Sequence, residues 1–152
     1  MAMVDASFAF LRERGFGEPR VTGSERECTI VYWGPTRTNI AIYNDVGSEA
    51  WVQIVPLDLV DSDGSTRTFG LNEAAAILEP ENEPPASTNP VTDSAQRAWL
   101  TWYARLLEAH FDELVPPSPT LLDAMVLETS SFAPSRCVPQ RAMGGSKTSS
   151  PT

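Results

Sequence analysis

The feature that most constrains the fold is a two-residue period of apolar side chains across residues 20–60. In its clearest stretch Ile30 and Tyr32 point to one side of the chain. Val31 and Trp33 point to the other side. Turn-forming residues interrupt this period every few positions, which predicts an antiparallel β-meander of four to five strands. Because both faces carry apolar groups, we expect helices on one face and at least partial cover on the other.

An N-terminal helix should pack on this sheet. Val4, Phe8 and Leu11 recur at helical spacing and predict a helix over residues 5–14. Gly15 stands where a left-handed residue commonly ends a helix. The helix is therefore expected to be short and to stop at this glycine.

The clearest helix lies nearer the C-terminus. Capped by Asp93 or Ser94, it is predicted to run to about Leu114, with aromatic and aliphatic groups filling half of its circumference. Residues 71–78 predict a short Ala-rich helix before it. Between the two, residues 79–92 contain four prolines and no apolar period, so we expect a Pro-rich acidic loop.

These elements form one expected domain with a tail. Residues 1–128 are assigned to a single α+β domain, in which Ser118 caps and Pro119 begins a last short helix. Residues 129–152 are dominated by Ser, Pro, Gly and Thr and are predicted to be a disordered basic tail.

The charge is unevenly distributed. The chain carries a net charge of −9, and Lys147 is its single lysine. All 20 acidic residues fall within residues 1–128, which are at about −12, while the tail is at +3. Phosphate backbones repel such a body, so we expect no nucleic-acid partner. A basic protein partner would be attracted to it. Without a secretory signal or an apolar span, we expect no membrane partner and a cytoplasmic location.

Two segments resemble ion-binding or nucleotide-binding loops but lack required residues. A calcium loop built on Asp61-Ser62-Asp63-Gly64 would need carboxylates where Leu59 and Gly70 stand, so a hairpin turn is expected there. A phosphate loop near the C-terminus would need glycines where Ser146 and Arg141 stand. No cofactor is therefore expected.

His110 is the single histidine of the chain. It falls on the apolar side of the long helix, where we expect a core or interface histidine. A role as general base would need a nucleophile and an orienting carboxylate from elsewhere. Cys28 and Cys137 show neither a disulfide framework nor metal-ligand spacing. The residues therefore predict no catalytic site and no metal site, although a ligand pocket near His110 stays open.

Acidic and aromatic side chains supply the candidate partner contacts. Turn carboxylates are exposed and can bind arginine in a bidentate manner. Tryptophan is favoured at the centres of protein interfaces. The candidates are Asp45, Glu49, Trp51, Asp58, Asp61, Asp63, Trp99 and Trp102.

The order of elements also resembles a group of bacterial proteins. The N-terminal pattern is Phe8-x-x-Leu11-x-x-x-Gly15-Phe16, which opens a meander with a central tryptophan strand. The later pattern is Leu100-x-x-Tyr103-Ala104-x-Leu106-Leu107. Together they are similar to small bacterial α+β proteins, some of which resemble immunity proteins of polymorphic-toxin loci. The resemblance covers roughly residues 5–115 and implies a non-enzymatic inhibitor that occludes a basic effector protein.

Two other functions stay open at this point. The chain can be a structural or adaptor subunit, in which the apolar face of the long helix docks a constant partner. It can also be an enzyme or small-ligand-binding protein that uses a pocket near His110.

Overall fold

The computed structural model describes residues 2–131, with side chains through residue 125. Five strands form one sheet in which each strand pairs antiparallel with the next along the chain. The strands are β1 (Arg20–Gly23), β2 (Glu27–Tyr32), β3 (Thr38–Asp45), β4 (Trp51–Pro56) and β5 (Phe69–Gly70). The helices are α1 (Ala2–Ser7), α2 (Phe10–Glu13), α3 (Leu71–Leu78), α4 (Asp93–Ala109), α5 (Phe111–Leu114) and α6 (Pro119–Ser131).

The predicted α+β class and the antiparallel meander are confirmed. The N-terminal helix differs in detail, because a tight turn at residues 8–9 divides it into α1 and α2. In that turn the Leu11 amide donates to the Phe8 carbonyl three residues back, at 3.0 Å. Gly15 has a φ of +88°, so it ends the second helix in the left-handed conformation that its position predicts.

The inner face of the sheet supplies the core. Register pairs Ile30 with Ile42 and Ile42 with Val52, so these three side chains form one row across β2, β3 and β4. Tyr32, Ile40 and Ile54 form the next row. All six side chains are buried. Every helix contributes buried apolar residues to the same cluster, and Phe8 joins them from the turn between α1 and α2. The helical residues include Val4, Leu11, Leu71, Leu100, Leu107, Leu114 and Leu121.

The long C-terminal helix is divided rather than continuous. Its first part, α4, is capped by the Thr92 side chain, which accepts from the Ala95 amide at 3.1 Å. The helix cap is therefore Thr92 rather than Asp93 or Ser94. Its extended backbone places the hydroxyl within reach of the Ala95 amide in the first turn. His110 leaves helical geometry at φ −114° and ψ 28°, and α5 begins after it. The predicted helix to Leu114 is therefore shown only in part.

The remaining connections follow the sequence closely. Helix α3 has its predicted bounds, and residues 79–92 contain no helix or strand. Ser118 accepts from the Leu121 amide at 3.2 Å and so caps α6. Helix α6 extends to Ser131, so residues 129–131 of the predicted tail are helical. The rest of that tail, from residue 132, lies outside the described residues. None of the described helices is long and apolar enough to cross a membrane.

We expect Gly15→Ala to lower the free energy of unfolding by roughly 1 kcal/mol, because a side chain at φ +88° is strained. Urea unfolding monitored by circular dichroism measures the change. Gly17→Ala is the matched control, since its added Cβ meets nothing within 4 Å and its φ is ordinary. Equal effects of the two substitutions would contradict this explanation of the helix end.

Candidate protein-binding surface

The outer face of the sheet, opposite the core rows, carries exposed aromatic groups. Register places Thr29, Tyr43 and Trp51 in one row across β2, β3 and β4. Trp51 is 53% exposed and Tyr43 is half-buried. Trp33, which follows β2 toward the opposite end of this face, is 49% exposed. The outer face is therefore only partly covered by the described residues.

Trp51 is held in a defined position although it is exposed. Its ring packs edge-on against Tyr43, with centroids 5.4 Å apart and planes at 80°. The Tyr43 hydroxyl donates to Oε1 of Gln53 at 3.3 Å, which fixes the tyrosine in turn. Such edge-to-face pairs favour one orientation. The tryptophan therefore presents a preoriented apolar surface to the solvent.

Two acidic residues lie beyond this aromatic pair, toward the turn that joins β3 to β4. Asp45 ends β3 and lies across from Glu27 at the start of β2. The turn after β3 exposes Val46 to 66%, and its amide donates to the Arg26 carbonyl at 2.7 Å. This bond holds the β1–β2 and β3–β4 turns side by side. We name the resulting surface the hairpin patch, formed by Glu27, Tyr43, Asp45, Val46 and Trp51.

Glu49 lies beside the hairpin patch but is already in contact with the Pro-rich loop. The Ser87 hydroxyl donates to its carboxylate. Burial, with a contribution from the Glu49 charge, raises the pKa of Tyr103 to about 12. Glu49 therefore faces toward the loop and α4, and its charge adds to the field at this end of the sheet without lying in the outer face.

The other three acidic candidates lie at the opposite end of β4. Asp58 forms an ion pair with Arg37, with Oδ1 and Nε 2.7 Å apart. Asp63 accepts from the Ser65 amide at 2.9 Å, a bond that lowers the pKa of this carboxyl. Asp61 takes part in the same turn, where Gly64 has a φ of +84°. The predicted hairpin turn is confirmed, and two of these three acidic residues, Asp58 and Asp63, already have partners.

The candidates therefore form two separate groups. The six residues of β4 separate the ends of the sheet by roughly 17 Å. The group that contains Asp58 is partly neutralised by Arg37. The hairpin patch combines acidic groups with exposed apolar ones, whereas the far group offers mainly carboxylates that have partners. We therefore regard the hairpin patch as the stronger candidate.

Trp99 and Trp102 are removed from the candidate contacts, because the structure places both in the core. They are 8% and 9% exposed. Their rings meet at 76° with centroids 5.8 Å apart, and both pack against Tyr103. The apolar half of α4 packs within the protein, so neither tryptophan presents a large exposed surface to a protein partner.

A charged network joins the Pro-rich loop to α4. Glu79 directly follows α3 and receives two bonds from Arg105, at 2.8 and 3.3 Å. It also contacts Nε2 of His110 at 2.8 Å and accepts from Asn82 at 2.6 Å. These donors, Arg105 foremost, lower the pKa of Glu79 to about 2. The carboxylate therefore ties the end of α3 to the end of α4.

His110 is enclosed by carboxylates on both sides. Its Nε2 contacts Glu79, and its Nδ1 lies 3.6 Å from Oε1 of Glu113. The orienting carboxylate that a general base requires is thus present. However, both ring nitrogens face carboxylates, and the adjacent cavity of about 210 Å³ has no hydroxyl or thiol nucleophile among its lining residues. Among the described residues no group of three or more His, Cys, Asp or Glu side chains is placed to hold a metal ion.

Two parts of this arrangement were not predicted. The Glu79 network was missed because Glu79 stands in a Pro-rich segment that has no period, and its partners are 26 and 31 residues away. Glu27, Tyr43 and Val46 were also missed as members of the hairpin patch. Tyr43 has a recognisable signal, since it alternates with Ile42 and must point to the outer face.

Comparisons of the chain with protein-family models, with curated proteins and with solved structures find no match.

We expect Glu79→Gln to flatten the dependence of stability on pH in the acid range. The pKa of Glu79 is about 2, against an ordinary value of 4.5. Its charge therefore stabilises the fold fully above pH 4.5, and this contribution is lost as the pH falls toward 2. Urea unfolding at several pH values between 2 and 7 should show a shallower decline for the variant than for the wild type.

The matched control for that measurement is Glu83→Gln, a substitution at an exposed residue of the same loop. The control should follow the wild-type curve. If Glu79→Gln also follows the wild-type curve, the network does not stabilise the fold.

Proposed function

We propose that the protein is a non-enzymatic protein-binding module that covers a basic surface of an effector protein, as an immunity-like inhibitor does. The observation that supports this most is Trp51, which is 53% exposed yet held edge-on against Tyr43, on the same face as Glu27 and Asp45. A large, rigid aromatic group of this kind is typical of the energetic centre of a protein interface.

The proposed mechanism is occlusion. Glu27 and Asp45 attract a cationic surface, and the net charge of −9 speeds the encounter. An arginine of the partner then stacks on Trp51, where cation–π attraction adds to burial of the ring. Val46 extends the apolar contact beyond the tryptophan. A catalytic site that depends on basic residues is blocked by this surface without any chemistry.

The adaptor alternative loses its proposed surface. It required the apolar face of α4 to dock a constant partner, but Trp99, Leu100, Tyr103 and Leu107 of that face are buried within the protein. An adaptor would have to use the hairpin patch instead. Co-purification in constant ratio with a large assembly would then distinguish it from an inhibitor.

The enzyme alternative is also weakened by geometry. His110 has Glu79 on one ring nitrogen and Glu113 near the other, and no hydroxyl or thiol lines the adjacent cavity. Such an arrangement suits a structural role at the break between α4 and α5.

We include the cytoplasm in the proposal, since the free thiol of Cys28 suits a reducing compartment.

We expect Trp51→Ala to weaken partner binding by about 2 kcal/mol, or roughly 30-fold, because the substitution removes the centre of the interface. The partner is first captured by affinity pull-down from the native host at low salt and identified by mass spectrometry. Isothermal titration with the purified partner then gives the affinities.

The matched control is Trp33→Ala, since Trp33 is similarly exposed but lies at the far end of the outer face. This variant should bind within about twofold of the wild type. Equal losses for the two variants would place the interface across the whole outer face. Equal affinity of Trp51→Ala and the wild type would reject the hairpin patch. Recovery of no basic partner would reject the proposed function.

A further inference from the structure

A second surface lies on the helical side of the molecule, away from the outer face of the sheet. It is a groove between the exposed side of α4 and the Pro-rich loop, with a volume of about 530 Å³. Small-molecule sites commonly have volumes of about 300–1,000 Å³. The groove is therefore large enough for a small ligand, and it shares no residue with the hairpin patch.

The floor of this groove is apolar. Pro85 of the loop, Ala98 and Trp102 line it. Trp102 is nine-tenths buried, and its indole N–H has no hydrogen-bond partner among the described residues. A buried donor without an acceptor is unusual in folded proteins. The indole N–H itself is buried, so the part of the groove formed by these three residues is apolar.

Two arginines stand at the rim. Arg97 and Arg105 are eight residues apart on α4, which places them about 12 Å apart along one side of the helix. Arg105 is held by Glu79. Arg97 is exposed and forms no ion pair with another described side chain. Asp93, one turn earlier on α4, does not pair with it either. In a strongly acidic protein, this groove therefore offers an unpaired cation beside an apolar floor.

We propose that the groove binds a small apolar anion, meaning a carboxylate or sulfonate carried on an aromatic or aliphatic body. Arg97 pairs with the anionic group, and the hydroxyl of Thr101, one turn further along α4, lies between the two arginines. The apolar body lies on Pro85, Ala98 and Trp102. The site is independent of the proposed partner surface, because the two lie on opposite layers of the fold.

The test uses 8-anilinonaphthalene-1-sulfonate, an aromatic sulfonate whose fluorescence rises in apolar surroundings. Titration of the full chain should show saturable binding of one probe. Arg97→Gln should weaken that binding by about tenfold, because it removes the charged partner of the sulfonate. Arg20→Gln, at an exposed arginine of β1 on the other layer, should leave the affinity unchanged.

A second variant tests the groove by volume. Ala98 is exposed, so Ala98→Trp fills the groove without disturbing the core, and it should abolish binding while thermal unfolding stays as in the wild type. Absence of saturable binding would overturn the proposal. Equal losses for Arg97→Gln and Arg20→Gln would overturn it by showing general attraction to charge. Loss of binding in Trp51→Ala would overturn it by assigning the probe to the outer face of the sheet.

Discussion

The register of β2, β3 and β4 is the constraint on which the rest of the structure depends. It places Ile30, Ile42 and Val52 in one buried row and so fixes which side of the sheet the helices cover. Since side chains alternate, a shift of one residue would move each apolar row to the opposite face. The same register brings Tyr43 beside Trp51 on the outer face. The same strand register therefore determines both the buried core and the candidate surface.

Polar contacts then attach the helical layer to the sheet at defined points. Gln96 of α4 donates to the Asn44 side chain at 2.7 Å and to the Asp45 carbonyl at 3.0 Å, next to the hairpin patch. Glu79 fixes the far end of the same helix through Arg105. Buried polar groups that have partners specify one arrangement of packed elements. Asp45 is half-buried, and its backbone carbonyl holds the helix.

The two candidate surfaces differ in the charge that they present. Acidic groups gather near Trp51 at the outer face, where a basic macromolecule can approach without obstruction by the helices. The groove on α4 carries arginines instead and has the size of a small-molecule site. Under the two proposals, one surface takes a cationic partner and the other takes an anionic one. The two proposals therefore concern separate surfaces of one rigid core.

The sequence alone determined the local elements. The meander, the bounds of α3, the Gly15 helix end and the Asp-Gly turn were all predictable, because each depends on periodicity or turn chemistry within about ten residues. The tertiary structure decided which aromatic residues are exposed. Trp51 and Trp102 are both candidate partner contacts by sequence, yet the structure exposes Trp51 and buries Trp102. It also paired Glu79 with Arg105 and separated Asp58 from Asp45. These outcomes depend on which elements become neighbours, and contacts between distant residues leave no period in the chain.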